Sequence, residues 1–238
     1  MDLSTQAAGI GALADDTRRA LYEYVSAQAE PVGREQAATE LGLAVHNVNF
    51  HLDRLVTEGL LEVEYRRLSG KTGPGAGRPS KLYRRASREF AVSLPPRRYD
   101  LVGDILASAV SRAAAGVPLD QALHESARRE GLSLRQGVES LDRAGSLPAL
   151  AQVLRSQGFE PQVRDDEVVL SNCPFDALAQ KHTALVCGLN QAFVQGVADG
   201  LGSDVIACLE PEPGRCCVKA RAASRSVRRG LEHPDSPS

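Results

Sequence analysis

The stretch from Val48 to Tyr83 decides the fold of the first part of the chain. It begins V-N-F-H-L-D-R-L-V-T-E-G-L-L-E-V-E-Y-R-R and continues, one residue later, S-G-K-T-G-P-G-A-G-R-P-S-K-L-Y. Val48, Leu52 and Leu55 recur at spacings of four and three residues, which is typical of the buried stripe of a helix. We therefore predict a helix over residues 45–58, ended by Gly59.

A hairpin with a long glycine-rich loop is predicted after this helix. Leu60–Arg66 reads as a strand, and Lys81–Arg84 as its partner. The loop between them is rich in glycine and proline, which excludes a helix. Two shorter helices are predicted upstream, one capped by Asp15 or Asp16 and one ending at Gly42. This order is the layout of a winged helix-turn-helix, which makes double-stranded DNA the leading partner.

The exposed face of the predicted third helix carries side chains suited to reading base pairs. Asn bonds adenine, Arg bonds guanine, and an apolar ring contacts the thymine methyl group. In the loop, the wing of this fold, basic residues are expected to meet phosphates or the minor groove. The predicted DNA-binding residues are His46, Asn47, Asn49, Phe50 and Arg54 of the helix and Lys71, Arg78 and Lys81 of the wing and its second strand.

Basic residues are concentrated in the same region, although the whole chain has a formal net charge of −2. Between Arg66 and Arg98 there are ten basic residues and a single acid, Glu89. A cluster of one sign next to a helix-turn-helix indicates contact with a phosphate backbone.

The pattern beyond Pro95-Pro96 predicts further domains, and the whole chain is predicted to be an α+β protein. We expect a DNA-binding domain over residues 1–95, a helical connector that dimerises over 96–145, a small α+β sensor domain over 146–222 and a disordered tail over 223–238. The connector begins with a helix whose apolar stripe is predicted to run through Leu101, Ile105 and Val110. A long helix is predicted from His182 to Leu201, followed by two short strands.

All five cysteines lie in the last third of the chain, outside the DNA-binding pattern. They form no C-x-x-C motif, which argues against a zinc ribbon and thioredoxin-type chemistry. Soft thiolates suit iron–sulfur clusters, zinc, copper(I) or metalloids. Cys173 and Cys216 lie beside proline and glycine turns and are candidate ligands, whereas Cys208 lies within an apolar strand and is expected to be structural.

Two sets of motifs carry a resemblance to known families. L-A-D-D-T-R-R-A-L and H-L-D-R-L-V-T-E-G-L-L-E resemble ArsR-type winged-helix regulators. G-R-P-S-K-L-Y together with N-C-P-F, H-T-A-L-V-C-G-L-N and G-R-C-C-V resembles the SufR-like regulators, repressors of iron–sulfur assembly operons that bind a cluster themselves. The resemblance implies that Cys173, Cys187 and Cys216 hold a 4Fe-4S or 2Fe-2S cluster. It supplies no fourth cysteine at a matching place, and Cys217 and His182 are the candidates for the fourth ligand.

We therefore expect a homodimeric, cytoplasmic DNA-binding repressor controlled by an iron–sulfur cluster. The alternative is a winged-helix regulator that senses a metalloid, an oxidant or a small apolar ligand through the same domain. No nucleophile elbow, H-E-x-x-H or P-loop motif is present, so we do not expect an enzyme. No apolar run approaches the about 20 residues of a membrane-spanning helix, so no membrane partner is expected.

Overall fold

The computed structural model describes residues 3–67, 79–134 and 146–223. The chain divides into two compact units, residues 1–92 and 93–238. Each unit combines helices with an antiparallel sheet, so the predicted α+β fold is confirmed. None of the helices in the described ranges is long and apolar enough to cross a membrane.

The described part of the first unit is a helix-turn-helix followed by a β-hairpin. Strand order in its sheet is β1-β3-β2, and the hairpin register runs from Leu61 opposite Arg85 to Arg66 opposite Ser80. The elements are α1 (Leu3–Ala12), α2 (Asp16–Ala27), β1 (Val32–Gly33), α3 (Arg34–Leu41), α4 (Val45–Thr57), β2 (Leu61–Arg66) and β3 (Ser80–Arg85).

Local sequence signals set the ends of these helices. The Asp15 side chain caps α2 by accepting a hydrogen bond from the Arg18 backbone N–H at 2.9 Å. Gly42 ends α3 with a φ of 63°, and Gly59 follows α4 with a φ of 76°. Because residues other than glycine rarely adopt such backbone angles, each of the two glycines fixes a turn.

The core of the first unit contains the stripe predicted for α4. Val48, Leu52 and Leu55 are each 0% exposed. They pack in one cluster with Leu21 of α2 and Tyr83 of β3. Burial of this face leaves the opposite face of α4 turned away from the core, which is where the predicted base-reading residues lie.

The second unit places a four-stranded antiparallel sheet, order β4-β5-β7-β6, with its helices around one hydrophobic core. Phe159, Phe175 and Phe193 meet in that core with ring centroids 5.9 and 6.2 Å apart. The elements are α5 (Tyr99–Ala114), α6 (Leu119–Ser133), α7 (Ser146–Ser156), β4 (Pro161–Arg164), β5 (Glu167–Leu170), α8 (Asp176–Lys181), α9 (Thr183–Gly200), β6 (Val205–Leu209) and β7 (Val218–Ala222).

Helices α5 and α6 share this core with the sheet, so the structure shows one unit where the sequence predicts a connector and a separate sensor domain. The predicted stripe of α5 is partly wrong. Leu101 and Ile105 are buried, but Val110 is 60% exposed and Ala109 is buried instead. Position 110 lies half a turn away from position 101 at about 100° per residue, which explains the difference.

Helices α6 and α9 cross at two glycines. A Cβ atom added to Gly131 would collide with the carbonyl oxygen of Phe193, and one added to Gly196 would collide with the carbonyl oxygen of Arg128. Both obstacles are backbone atoms, so no side-chain rotation relieves them. The small residues therefore allow α9 to lie closely against α6.

The outer edge of strand β6 is covered by side chains from α9. Gln191 donates to the Ala207 carbonyl at 2.9 Å, and Gln195 donates to the Val205 carbonyl at 3.1 Å. The Gln195 amide oxygen also accepts from the Ala207 N–H at 2.9 Å. These bonds occupy edge groups that otherwise invite pairing with another strand.

The glycine crossing predicts opposite effects for two substitutions in α9. Gly196→Ala should lower the free energy of unfolding by about 1–3 kcal/mol, because the added methyl group meets fixed backbone. Gly188→Ala is the matched control, since its Cβ has no neighbour within 4 Å and alanine favours the helix by up to about 1 kcal/mol. Urea unfolding followed by circular dichroism measures both, and equal midpoints for Gly196→Ala and wild type would refute the close crossing.

Candidate DNA interface and cysteine site

The exposed face of α4 carries most of the predicted base-reading residues. His46, Asn47, Phe50 and Arg54 are exposed, and Phe50 is 66% exposed although it is a large apolar side chain. Asn49 is half-buried. An exposed aromatic ring flanked by amides and a guanidinium is the chemistry that a DNA major groove accepts.

Asp53 of α4 connects this helix to strand β3. Its Oδ1 atom accepts hydrogen bonds from Lys81 Nζ and, at 3.0 Å, from Tyr83 Oη. Its Oδ2 atom accepts from Asn49 Nδ2 at 3.4 Å. The bond to Asp53 raises the pKa of Lys81, and burial raises the pKa of Tyr83. The sequence analysis missed this role of Asp53, and it assigned Lys81 to DNA alone.

Several basic residues of the predicted cluster already pair with acids. Arg66 contacts Glu30 at 3.1 Å, and Arg84 contacts Glu62 at 2.7 Å. Such exposed pairs contribute about 0–1 kcal/mol, so a phosphate can replace the acid at little cost. The two predicted wing contacts, Lys71 and Arg78, lie outside the described residues.

Four cysteines of the second unit meet beside the first half of α9. Cys187 of α9 is disulfide-bonded to Cys217, which directly precedes β7. Cys216, the preceding residue, is hydrogen-bonded to Cys173 in the loop between β5 and α8. The two pairs are joined by the peptide bond between Cys216 and Cys217. The three predicted ligands thus come from three separate elements and are linked through these two neighbouring pairs.

Asn190, one turn after Cys187, donates a hydrogen bond from Nδ2 to Cys216 Sγ at 3.1 Å. Asn190 is 1% exposed, and its Oδ1 atom is buried with no hydrogen-bond partner among the residues that the structure describes. The hydrogen bond from Cys173 lowers the pKa of Cys216, while the same bond and burial raise the pKa of Cys173. Cys216 is therefore the thiol of that pair that loses its proton more readily. Sequence reasoning did not identify Asn190.

As placed, the described residues include no group of three or more His, Cys, Asp or Glu side chains that could hold a metal ion. Cys187 and Cys217 are bonded to each other, which leaves Cys173 and Cys216 as the free thiols at this point. Of the two candidate fourth ligands, Cys217 belongs to the group, whereas His182 is exposed at the junction of α8 and α9. Cys208 is half-buried in β6.

The loop that carries Cys173 is bound to residues 96–98, near the start of the second unit. Arg97 donates to Asn172 Oδ1 at 2.6 Å and to the Cys173 carbonyl at 3.0 Å. Asn172 in turn donates to the Pro96 carbonyl at 3.1 Å. The Arg98 N–H donates to the Pro174 carbonyl at 3.1 Å. We call this set of contacts the linker clamp. No motif or spacing in the sequence predicts these contacts.

The first unit, with its crossing helices and following hairpin, has the architecture of a DNA-binding domain. Residues 13–64 match the family described as helix-turn-helix domain, which supports a DNA-binding transcriptional regulator with the predicted ArsR-type helix-turn-helix. Proteins of this kind are usually not enzymes. No curated protein and no solved structure matches the chain. The match covers the segment from just before α2 into β2 and reaches none of the cysteines.

Proposed function

We propose that the protein is a homodimeric, sequence-specific DNA-binding repressor whose affinity is controlled by an iron–sulfur cluster held by Cys173, Cys187 and Cys216. The observation that carries the proposal is the pairing of Cys187 with Cys217 and of Cys173 with the adjacent Cys216, next to a buried amide that donates to the Cys216 sulfur. The helix-turn-helix match supports the DNA-binding half.

The DNA-binding half rests on the surface of α4. In helix-turn-helix proteins the second helix of the motif enters the major groove, and dimers bind two half-sites about one turn apart. The bonds from Asp53 to Lys81 and Tyr83 hold α4 against β3, so the reading face has a fixed orientation relative to the hairpin. A rigid helix presents base contacts with less loss of side-chain freedom than a mobile segment does.

The cysteine half rests on the donor chemistry. Thiolates are the ligands that iron–sulfur clusters use, and hydrogen bonds to the sulfurs are among the features that set their properties. When bound, a cluster would supply a group that oxidants attack. Cys187 has to be a free thiolate to act as a ligand, so reduction of its bond to Cys217 precedes binding. Asn190 then remains in position to donate to Cys216.

The linker clamp offers a physical route from the cysteines to the DNA-binding unit. Arg97 donates a hydrogen bond to the backbone carbonyl of Cys173, and residues 96–98 come shortly after Val92, where the first unit ends. A change that moves Cys173 would therefore displace the segment that follows the DNA-binding unit in the chain. A free-energy difference of about 1–3 kcal/mol between the two states changes DNA affinity about 5–150-fold.

The adjacent thiols of Cys216 and Cys217 support a second candidate. Two neighbouring soft ligands also suit a metalloid, and thiols respond to oxidants directly. A regulator of that kind would use the same four cysteines without iron. The iron content of protein purified without oxygen separates the two candidates.

The first prediction concerns the reading helix. Arg54→Ala should weaken binding to the specific site by about 1–3 kcal/mol, while binding to unrelated duplex changes little at the same salt concentration. The site is obtained by selecting a random duplex library with the full chain. Glu58→Gln is the control, because it removes the ion-pair partner of Arg54 at 2.6 Å but leaves the guanidinium. If both variants lose affinity equally, Arg54 acts by supporting the helix and not by reading DNA.

The second prediction concerns the cluster. Anaerobically purified protein should contain iron and sulfide and absorb visible light. Changing Cys173, Cys187 or Cys216 singly to Ser should abolish the absorbance, while Cys208→Ser should retain it. Colourless, iron-free protein after anaerobic reconstitution would reject the cluster and favour the metalloid or oxidant sensor.

The third prediction concerns the linker clamp. Arg97→Ala should keep the wild-type iron content but bring the DNA affinities of cluster-containing and cluster-free protein to within about twofold, against about 5–150-fold for wild type. Arg98→Ala is the matched control, since Arg98 binds Pro174 through its backbone N–H. Fluorescence anisotropy with the specific duplex measures both. Arg97→Ala protein that keeps the full difference would show that the signal takes another route.

A further inference from the structure

Cys217 is not among the three cysteines that the resemblance assigns to the cluster. It lies in the turn before β7, opposite the first half of α9, and its Cα atom is 6.4 Å from that of Cys187. Disulfides usually join Cα atoms between about 4.4 and 6.8 Å apart. The Cα separation of Cys187 and Cys217 lies within this range, and the two residues are disulfide-bonded in the structure.

The surroundings of Cys216 explain why Cys217, and not its neighbour, pairs with Cys187. Cys216 is 3% exposed, and its sulfur is hydrogen-bonded to Cys173 and to the amide of Asn190. Its backbone N–H is held by the Leu170 carbonyl at 3.0 Å. Cys217 is half-buried and is directed to Cys187. Two adjacent residues thus serve two different partners.

We propose that Cys187 and Cys217 form a peroxide-responsive thiol–disulfide couple, and that its oxidised form withdraws Cys187 from metal binding. The second half of this proposal rests on the metal site of the proposed function. The first half does not, because it concerns the two sulfurs alone.

The oxidation needs a peroxide and no other reagent. The Cys217 thiolate, more exposed than that of Cys187, attacks hydrogen peroxide. The O–O bond breaks, giving a sulfenic acid at Cys217 and, after protonation, one water molecule. The Cys187 thiol then attacks that sulfur, forming the S–S bond and releasing the second water. Two electrons pass from the two sulfurs to the peroxide, and an external dithiol reverses the bond by exchange.

The consequence is competition for a single residue. Cys187 is one of three predicted ligands, and a sulfur in a disulfide is not a thiolate donor. Oxidised protein would retain only Cys173 and Cys216 at this point, which is a weaker site than three thiolates. The chain would then have a state in which metal cannot return until the disulfide is reduced.

The linkage is tested by peptide mapping of the full chain. Reduced, metal-free protein is treated with one equivalent of hydrogen peroxide, blocked with a thiol reagent and digested with trypsin and Asp-N. This digestion places Cys173, Cys187 and Cys208 on separate peptides and Cys216 and Cys217 together on Cys216–Lys219. We expect the main cross-link to join the Cys187 peptide to Cys216–Lys219, two mass units below the sum of the reduced peptides.

Two serine variants resolve the shared peptide. The cross-link should persist in Cys216→Ser and disappear in Cys217→Ser, while Cys208→Ser should behave as wild type. Because the wild-type digest needs no variant, a misfolded variant does not remove the test. A main product that joins Cys173 to Cys216, or a cross-link retained in Cys217→Ser, would overturn the couple.

The withdrawal of Cys187 is tested with cadmium ion, a soft metal whose thiolate bonds absorb in the ultraviolet. We expect reduced protein to bind cadmium at least tenfold more tightly than peroxide-treated protein, and a dithiol, added and then removed, to restore the binding. Equal affinity of both forms would overturn the withdrawal. If neither form binds cadmium, the metal site and its withdrawal both fail, and a mapped Cys187–Cys217 bond would stand alone.

Discussion

The close packing of α9 constrains the second unit, because the same helix has to satisfy three different neighbours. Gly196 lies against the backbone of α6, and Gln195 bonds the edge of β6. Cys187 and Asn190 meet the turn before β7. A helix that is packed on several sides cannot shift without losing close-packed contacts. The cysteine cluster is therefore built on a fixed element, and the loops that meet α9 are the parts free to respond.

Asn190 shows that this core is not arranged for stability alone. A buried amide oxygen without a partner among the described residues costs about 1–3 kcal/mol, and Leu189 and Ala192 beside it in α9 belong to the hydrophobic core. Departures from good packing that persist in a folded protein are expected at functional sites. The Asn190 amide nitrogen on Cys216 fits that expectation, since it places a donor on the sulfur of a proposed ligand.

Elements with strong local signals could be predicted from the sequence, whereas contacts between distant residues could not. The spacing of Val48, Leu52 and Leu55 predicted the buried face of α4, because helix geometry alone decides it. The bond between Asp53 and Lys81 depends on how β3 crosses α4, which no local pattern encodes. The same holds for the pairing of Cys187 with Cys217. Spacing brought the cysteines into consideration, but only the fold shows which sulfurs are neighbours.

The linker clamp and the cysteine pairs together indicate where a signal would leave the second unit. Among the four cysteines of the group, Cys173 is the one whose backbone carbonyl accepts a hydrogen bond from Arg97. Its loop joins β5 to α8 and is bound to residues 96–98 by the linker clamp, whereas Cys187 belongs to a helix buried along most of its length. Loops generally open at lower free energy than core helices do. Under the proposed function, a change at the sulfurs would displace the Cys173 loop first, and Arg97 would pass that displacement to the segment that follows the DNA-binding unit.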